Sequence, residues 1–185
     1  MKPAHYFRVL TIGHSTRPLE EFVALLKAHE VARLVDVRTI PRSRHNPQFN
    51  KETLAESLAT DGIAYSHFPG LGGLRPKQAN SINTGWRNAS FRAYADYMQT
   101  AQFEDNLRQL IEAARLEQVA IMCAEAVPWR CHRSLVADAL LARGIAAEEI
   151  VNTSHTEPHK LTAFAQVQGT TVTYPSPEPT TEQLF

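Results

Sequence analysis

Residues 119–134 read VAIMCAEAVPWRCHRS and contain the clearest predicted strand of the chain. Residues 119–122 form a short apolar run that is typical of a buried strand, and residues 132–143 repeat apolar side chains at helical spacing. A loop containing both cysteines of the chain joins these two segments. The sequence therefore predicts a strand, a loop and a helix, which is the repeating unit of α/β proteins.

The same alternation extends along the rest of the chain. Further strands are expected at residues 9–12, 34–37, 63–68 and 150–151, with helices starting near residues 18, 50 and 90 and a fourth helix around residues 103–114. Residues 69–89 have no periodicity and are expected to form a long surface loop. We predict one three-layer α/β domain, residues 1–155, with a mostly parallel sheet and helices on both faces. Residues 156–185 would form a partly extended, Pro-rich extension (Pro175, Pro177, Pro179).

The hydrophobic content and the net charge of the chain exclude some classes of protein. Of the 185 residues, 43% are hydrophobic, which excludes a wholly disordered chain. The net charge of zero speaks against a polycation that coats nucleic acid, although residues 36–92 carry eight cations against four acids. Arginine outnumbers lysine 14 to 5.

The expected location is a reducing cytoplasm. Two cysteines are too few for a secreted disulfide framework. No apolar run is long enough to cross a membrane, and the first residues do not resemble a secretory signal. We therefore expect no membrane partner.

The residues with polar or reactive side chains cluster where three predicted strands end. Parallel sheets bind ligands beyond the carboxyl ends of their strands. The strand ends carry residues 14–16 (HST), 36–38 (DVR) and 123–125 (CAE). We expect these three segments to meet at one edge of the sheet.

A thiol is the expected nucleophile, and either cysteine is a candidate. A cysteine at a strand end or before a helix is activated by the helix dipole and by nearby arginines. Cys123 has an alternative interpretation as a small core residue, and Cys131 sits in the loop mouth. A metal site would need Cys123, Glu125, Cys131 and His132, but the spacing of the cysteines matches no common zinc motif, so we predict no metal. No motif implies a cofactor, and two thiols are favoured over a Cys123–Cys131 disulfide.

Arginines in the loop after the second strand are expected to hold an anion. Arg38, Arg42 and Arg44 fall within seven residues, and the guanidinium fork suits carboxylate and phosphate. The competing interpretation is a solvated, charged loop. Asp36 is expected to pair with an arginine, and His14 to act as an acid, a base or a hydrogen-bond donor. Ser15 or Thr16 is expected to cap the following helix.

Five motifs resemble a known bacterial family. They are TIGHS (11–15), VDVR (35–38) with PRSR (41–44), GLGG (70–73), MCAE (122–125) and CHR (131–133). In this order, between about residues 10 and 152, they resemble the family named domain of unknown function 488. The resemblance implies an α/β fold and a cytoplasmic location, and it implies no established reaction.

A weaker similarity is to rhodanese-like domains. The VDVR motif and the strand, cysteine loop, Arg-Ser and helix are similar to that pattern, although Arg133 and Ser134 follow Cys123 by a longer loop than rhodaneses use. We treat it as an analogy, which suggests a site without establishing a function.

Two functions follow as hypotheses. The first is a thiol-dependent transferase or hydrolase that acts on a small anionic substrate, phosphorylated or sulfur-bearing. Its catalytic candidates are Cys123, Cys131, His14, Asp36 and Glu125, and its substrate-binding candidates are Ser15, Arg17, Arg38, Arg42, Arg44, His132 and Arg133. The alternative is a non-catalytic module that binds a nucleotide or a nucleic-acid backbone, with Trp86, Phe91 and Tyr94 as stacking residues. We favour packing of these aromatics on a helix face.

Overall fold

Within residues 7–176, which the computed structural model describes, the chain forms eight strands and five α-helices. The strands are β1 (Arg8–Gly13), β2 (Arg33–Asp36), β3 (Ala64–His67), β4 (Val119–Cys123), β5 (Ala146–Asn152), β6 (His155–Pro158), β7 (Gln166–Gln168) and β8 (Thr171–Thr173). The helices are α1 (Leu19–Ala28), α2 (Lys51–Thr60), α3 (Ala89–Tyr97), α4 (Ala101–Leu116) and α5 (Arg133–Leu141).

Six strands form the main sheet, in the order β3-β2-β4-β1-β5-β6. Strands β1 to β5 pair in parallel, and β6 is antiparallel to β5. The predicted α/β class with a mostly parallel sheet is therefore confirmed. The strand β4 lies between β1 and β2, so the ends of these three strands are neighbours.

Alternating side chains of the strands supply two cores, one on each face of the sheet. On β4, Ile121 and Cys123 face the core that α3, α4 and α5 cover, whereas Met122 faces the core that α1 and α2 cover. This is the period-two alternation of a strand that is buried on both faces. It also places the Cys123 thiol on the α5 side of the sheet, where Cys131 lies.

The ends of the helices show which side chains cap them, and they correct the expectation for Ser15 and Thr16. Neither Ser15 nor Thr16 caps α1, because that helix begins at Leu19 and its cap position is Pro18, which offers no side-chain acceptor. Ser90 does not cap α3, since the side chain of Asn88 accepts the hydrogen bonds from the first turn. Asn50 stands at the cap position of α2, but its side chain accepts the backbone N–H of Ser43 instead.

The segment after residue 155 packs on the α/β unit. Strand β6 extends the sheet, and β7 pairs with β8 in a separate hairpin. Tyr174, which follows the hairpin, is fully buried. Pro177 and Pro179 lie outside the described residues, and the division into residues 1–155 and 156–185 stays a prediction.

Within residues 7–176, none of the helices combines the length and the apolar character that a membrane crossing requires.

Candidate active site

Three strand ends meet as the parallel topology requires. The backbone N–H of His14, just after β1, donates to the carbonyl oxygen of Cys123 at 3.0 Å. The backbone N–H of Val37, just after β2, donates to the carbonyl of Met122 at 3.0 Å. These bonds continue the ladder beyond the strands, so the segments that follow the three strands leave the sheet together.

A cavity of about 460 Å³ opens at this edge. Seven of the twelve predicted site residues line it: His14, Arg38, Arg42, Cys123, Glu125, Cys131 and His132. The cavity thus joins both cysteines to His14, His132 and two of the predicted arginines, Arg38 and Arg42. A larger cavity, of about 760 Å³, lies between α1 and α2 and contains none of these groups, so size alone does not locate the site.

Cys131 and His132 form a thiol–imidazole pair. The Nδ1 atom of His132 lies 3.6 Å from the Cys131 sulfur. Its Nε2 lies 3.0 Å from the carbonyl oxygen of Val37, which can only accept, so the proton of the neutral ring is on Nε2. The free Nδ1 can then take the proton of the thiol. A nucleophile, a base and a group that orients the base are the parts of an activated thiol site.

The first turn of α5 also contacts the Cys131 sulfur. The backbone N–H of Arg133 points at this sulfur, with a nitrogen-to-sulfur distance of 3.5 Å. The next two amides, of Ser134 and Leu135, donate to the carbonyls of Cys131 and His132. The first amide of α5 therefore donates to the Cys131 sulfur, and the next two are already bonded to backbone carbonyls. The helix start does not present a row of free amides to an external anion.

The two thiols differ in their protonation. The Cys123 thiol donates to the Glu125 carbonyl at 3.9 Å, and burial, together with the neighbouring Cys131 sulfur, raises the pKa of Cys123 well above its ordinary value. Burial also raises the pKa of Cys131, but the neighbouring Cys123 thiol and His132 outweigh burial and lower that pKa. Of the two cysteines, Cys131 is therefore the one whose surroundings favour the thiolate.

Arg133 lies under the thiols, where it is fully buried. Its Nη1 donates to both carboxylate oxygens of Glu149 at 3.0 and 3.1 Å, and its Nη2 donates to the carbonyl of Glu125 at 3.0 Å. Its Nε has no hydrogen-bond acceptor within residues 7–176, and although burial lowers the pKa of this guanidinium, Cys123, Glu149 and Cys131 together raise it above its ordinary value. The guanidinium thus stabilises a thiolate from below the cavity.

Asp36 and Arg38 form a second buried pair. Two nitrogens of Arg38 donate to the two carboxylate oxygens of Asp36 at 2.9 and 2.6 Å, and Tyr65 donates to the same carboxylate at 2.6 Å. Asp36 is fully buried and does not line the cavity. As expected, it is paired with an arginine, so its carboxylate orients Arg38.

Arg38 in turn fixes His14. Its Nη1 lies 3.2 Å from Nε2 of His14, while Nδ1 of His14 lies 2.8 Å from the carbonyl of Ser15. Because that carbonyl only accepts, Nδ1 carries the proton and Nε2 accepts from Arg38. The ring also stacks on Phe49 at a centroid distance of 4.3 Å. Both ring nitrogens are occupied in this arrangement, so His14 orients the wall of the cavity.

Of the three arginines predicted to hold an anion, Arg38 and Arg42 line the cavity and Arg44 does not. Arg42 lines the cavity, and so does Arg130, which was not among the expected residues. Neither side chain makes a hydrogen bond within the described part of the chain, and both are exposed. Arg44 is exposed and is not among the residues that line this cavity. Arg42 and Arg130 are therefore the arginines available to an anion.

Other expected site residues lie elsewhere. Within residues 7–176, Ser15 lines neither cavity of this edge, whereas Arg17 and Arg133 line a separate cavity of about 600 Å³. Arg17 pairs with Glu21 at 2.8 Å. The exposed residue Glu125 lines the thiol cavity, and its backbone carbonyl is the atom that contacts Arg133.

Two glycines allow this close packing. A Cβ atom at Gly13 would lie 1.8 Å from the carbonyl oxygen of Glu125, and one at Gly73 would lie 2.6 Å from Nδ1 of His132. Any larger residue at position 13 displaces the loop after β4, and one at position 73 displaces the His132 ring.

A comparison with family models identifies the chain's family. The model described as "Domain of unknown function DUF488" matches residues 18–140, about two thirds of the chain. The chain belongs to the DUF488 family. This confirms the resemblance seen in the five motifs. The matched range includes both cysteines, His132 and the Asp36–Arg38 pair, and it leaves His14 and Glu149 just outside.

Comparisons with curated proteins and with solved structures gave no match. The similarity of this DUF488 protein to rhodanese-like domains is not confirmed and stays an analogy.

Sequence reasoning missed several residues of this site. Glu149, the partner of Arg133, lies on β5 and belongs to no sequence motif. It is one of five acidic residues between positions 145 and 185, and residue type alone does not distinguish it from the other four. Phe49 and Tyr65 look like ordinary core residues in the sequence. The pairing of Cys131 with His132 depends on the loop conformation, which residue types alone do not specify.

Two other expectations concern metals and aromatics. Within residues 7–176, no group of three or more His, Cys, Asp or Glu side chains is arranged to hold a metal ion.

Trp86 packs on Phe91, Phe164 and Tyr174 at centroid distances of 4.8, 4.9 and 5.5 Å. The buried Tyr94 donates its hydroxyl to the carbonyl of Leu71. These contacts fit the packing interpretation that we favoured for the aromatics.

Proposed function

We propose that this DUF488 protein is a thiol-dependent enzyme in which Cys131 attacks a small anionic substrate. The thiolate forms a bond to an electrophilic centre of the substrate, and a leaving group departs from that centre. His132 takes the thiol proton and returns it to the leaving group. Arg42 and Arg130 hold the anion.

The single observation that carries this proposal is the environment of the Cys131 sulfur. It lies 3.5 Å from the Arg133 backbone nitrogen and 3.6 Å from Nδ1 of His132, inside a cavity of about 460 Å³. A structural cysteine usually packs as a small apolar residue without such partners. An N–H donor, an imidazole and a buried guanidinium together favour the thiolate, which is the reactive form.

The cavity wall supports an organic anion as the substrate. Arg42 and Arg130 supply positive charge, and both are free of side-chain partners within the described residues. Ile40 and Leu74 line the same cavity and are 62% and 68% exposed, so they can contact an apolar part of the substrate. Exposed arginines around a cleft also attract anions from solution.

A reducing compartment such as the cytoplasm fits this chemistry, because the proposed reaction needs Cys131 as a free thiolate. Both cysteines are free in the structure.

Alkylation with a charged and a neutral reagent tests the proposal. Iodoacetate, an anion, and iodoacetamide, its neutral analogue, are each reacted with the protein, and the modified cysteine is identified by peptide mass mapping. We expect Cys131 to react before Cys123 with both reagents. Cys131→Ser should remove the fast reaction, whereas Cys123→Ser should keep it.

Matched arginine variants test the anion site. Arg42→Gln and Arg130→Gln should each slow the iodoacetate reaction by about threefold to tenfold. Each variant removes one partly screened charge, which attracts the anionic reagent by roughly 1 kcal/mol. The iodoacetamide rate should not change. Arg44→Gln, in the same loop but away from the cavity, is the control and should alter neither rate. Fast labelling of Cys123, or equal effects of Arg42→Gln and Arg44→Gln, would contradict the proposal.

A further inference from the structure

The cavity contains a second thiol that the proposed attack by Cys131 does not use. Cys123 ends β4, and Cys131 follows the short helical turn Pro128–Arg130. Both cysteines line the same cavity, and their exposed fractions are 3% and 4%. The Cys123 sulfur lies 3.9 Å from the Glu125 carbonyl, which Arg133 also contacts, and the Cys131 sulfur lies 3.5 Å from the Arg133 amide nitrogen. Two thiols on one cavity wall can form a disulfide when the loop between them brings the sulfurs together.

The contacts give the two thiols different roles. Cys131 has the Arg133 amide and His132 as partners, which makes it the attacking sulfur. Cys123 has the Glu125 carbonyl as an acceptor 3.9 Å away, which suits a sulfur that keeps its proton. An attacking thiolate beside a protonated second thiol is the arrangement that thiol–disulfide exchange requires.

Few reactions use a second thiol in this position. In attack on carbon or phosphorus the covalent intermediate is released by water or by another acceptor, and a neighbouring thiol has no part in that step. In attack on sulfur the intermediate is a mixed disulfide, and a neighbouring thiol releases it directly. The position of Cys123 therefore favours a substrate whose electrophilic atom is sulfur.

We propose that Cys123 is the resolving thiol of this site, and that the substrate is a small anionic molecule with an electrophilic sulfur, such as an anionic disulfide. This inference rests on the proposed function, since it takes Cys131 as the nucleophile and the anion-binding cavity as the substrate site.

The reaction balances in two steps. The Cys131 thiolate attacks one sulfur of a disulfide RS–SR; a bond forms between that sulfur and Cys131, the substrate S–S bond breaks, and RS⁻ leaves. Cys123 then gives up its proton and attacks the Cys131 sulfur, the bond from Cys131 to the bound sulfur breaks, and a second RS⁻ leaves with that proton as RSH. The two protein thiols lose two electrons to the substrate and end as a Cys123–Cys131 disulfide. A dithiol reductant is needed to restore them for another turnover.

A single-turnover reaction with a coloured anionic disulfide tests the inference. The reduced protein is mixed with dithiobis(nitrobenzoate), which carries a carboxylate on each ring, and both the released thionitrobenzoate and the mass of the protein are measured. We expect two equivalents of released thiol per chain, no retained adduct, and a peptide in which Cys123 is joined to Cys131. Cys123→Ser should release one equivalent and keep one adduct on Cys131.

The outcomes separate this inference from the proposed function. If the wild type keeps an adduct on Cys131 and releases one equivalent, Cys123 does not resolve, and the proposed function still stands. One adduct on each cysteine also overturns the inference, because the sulfurs then react independently. If Cys131 of the wild type does not react, the proposed function itself fails. The wild-type mass gives the decision even if Cys123→Ser folds poorly, and circular dichroism checks the fold of that variant.

Discussion

His14 shows how one buried side chain can control acid stability. Burial, aided by the positive charge of Arg38, lowers the pKa of His14 to about 4 from an ordinary value of 6.5. The folded pKa is below the unfolded pKa, so protonation favours the unfolded chain. The stabilisation of the folded state by neutral His14 is therefore fully present above about pH 6.5 and is lost as the pH falls towards 4.

We expect the cost of replacing His14 to shrink on acidification. His14→Gln should destabilise the protein at pH 7, and the difference from wild type should decrease by about 2 to 3 kcal/mol by about pH 4.5. Denaturant unfolding of both proteins at several pH values measures it. A difference that stays constant with pH would show that His14 is not held neutral.

Gly13 is the residue at which the site tolerates least change. In Gly13→Ala the new Cβ meets the carbonyl oxygen of Glu125, which is backbone and cannot rotate away. We expect a loss of about 1 to 3 kcal/mol in unfolding free energy, the usual cost of overpacking. We also expect slower labelling of Cys131, since the Glu125 loop carries the cavity wall.

Gly169→Ala is the matched control for that variant. Gly169 has a φ of +61°, and a Cβ added there would meet no atom of residues 7–176 within 4 Å, so only local backbone strain of about 1 kcal/mol is expected. Cys131 labelling should be unaffected. Equal labelling rates for Gly13→Ala and wild type would contradict the packing described for the strand ends.

At the scale of elements, the sequence predicted the order of strands and helices because their apolar periodicity is strong. It also placed three chemical segments at one sheet edge, since parallel strands share that edge. Helix ends were predicted less well. Asn88 rather than Ser90 caps α3, and either side chain can accept such bonds, so residue type does not decide between them. The β7–β8 hairpin has strands of only three residues, too short for a pattern to reveal.

The helix α5 anchors the segment that follows the sheet. The fully buried Asp138 accepts hydrogen bonds from His159 at 2.7 Å, from the Thr162 amide at 3.1 Å and from the Tyr174 hydroxyl at 2.8 Å. Asp138→Asn should cost about 2 to 4 kcal/mol, since it leaves buried donors without their charged acceptor. Hydrogen exchange should rise most in β7 and β8.

The control for that variant is Asp105→Asn on α4. Asp105 pairs with Arg108 at 2.7 Å in an exposed position, so its loss should cost less than about 0.5 kcal/mol. If both variants have the same effect on exchange in the hairpin, Asp138 does not anchor the segment.

In the molecule as a whole, the net charge of zero does not indicate which arginines are paired inside the fold and which are free to bind a ligand. Arg38 and Arg133 are buried against Asp36 and Glu149, and Arg75 lies over the ring of Tyr97 at 3.5 Å. The bias towards arginine thus reflects internal pairing as much as ligand binding. Sequence counts could not separate these roles, because pairing depends on which chain segments the fold brings together.

Removing residues 156–185 tests the predicted division of the chain. The cut takes away three of the four residues of β6 and the buried Tyr174, and it uncovers the ring of Trp86. We expect a lower Tm and stronger binding of an apolar dye, because buried apolar surface becomes exposed. An unchanged Tm would show that residues 1–155 fold independently of the extension.

If His132 and the Arg133 amide hold Cys131 as a thiolate, its alkylation rate should depend only weakly on pH. The rate of iodoacetamide labelling at Cys131 is measured by peptide mass mapping between about pH 5 and pH 9, against an ordinary thiol pKa of roughly 8.5. Because the pKa of Cys131 is lowered, we predict a rate that stays nearly constant down to about pH 6, where an ordinary thiol has lost more than a hundredfold of its thiolate. A rate that falls tenfold for each pH unit below about 8 would show that Cys131 is an ordinary thiol, protonated at neutral pH.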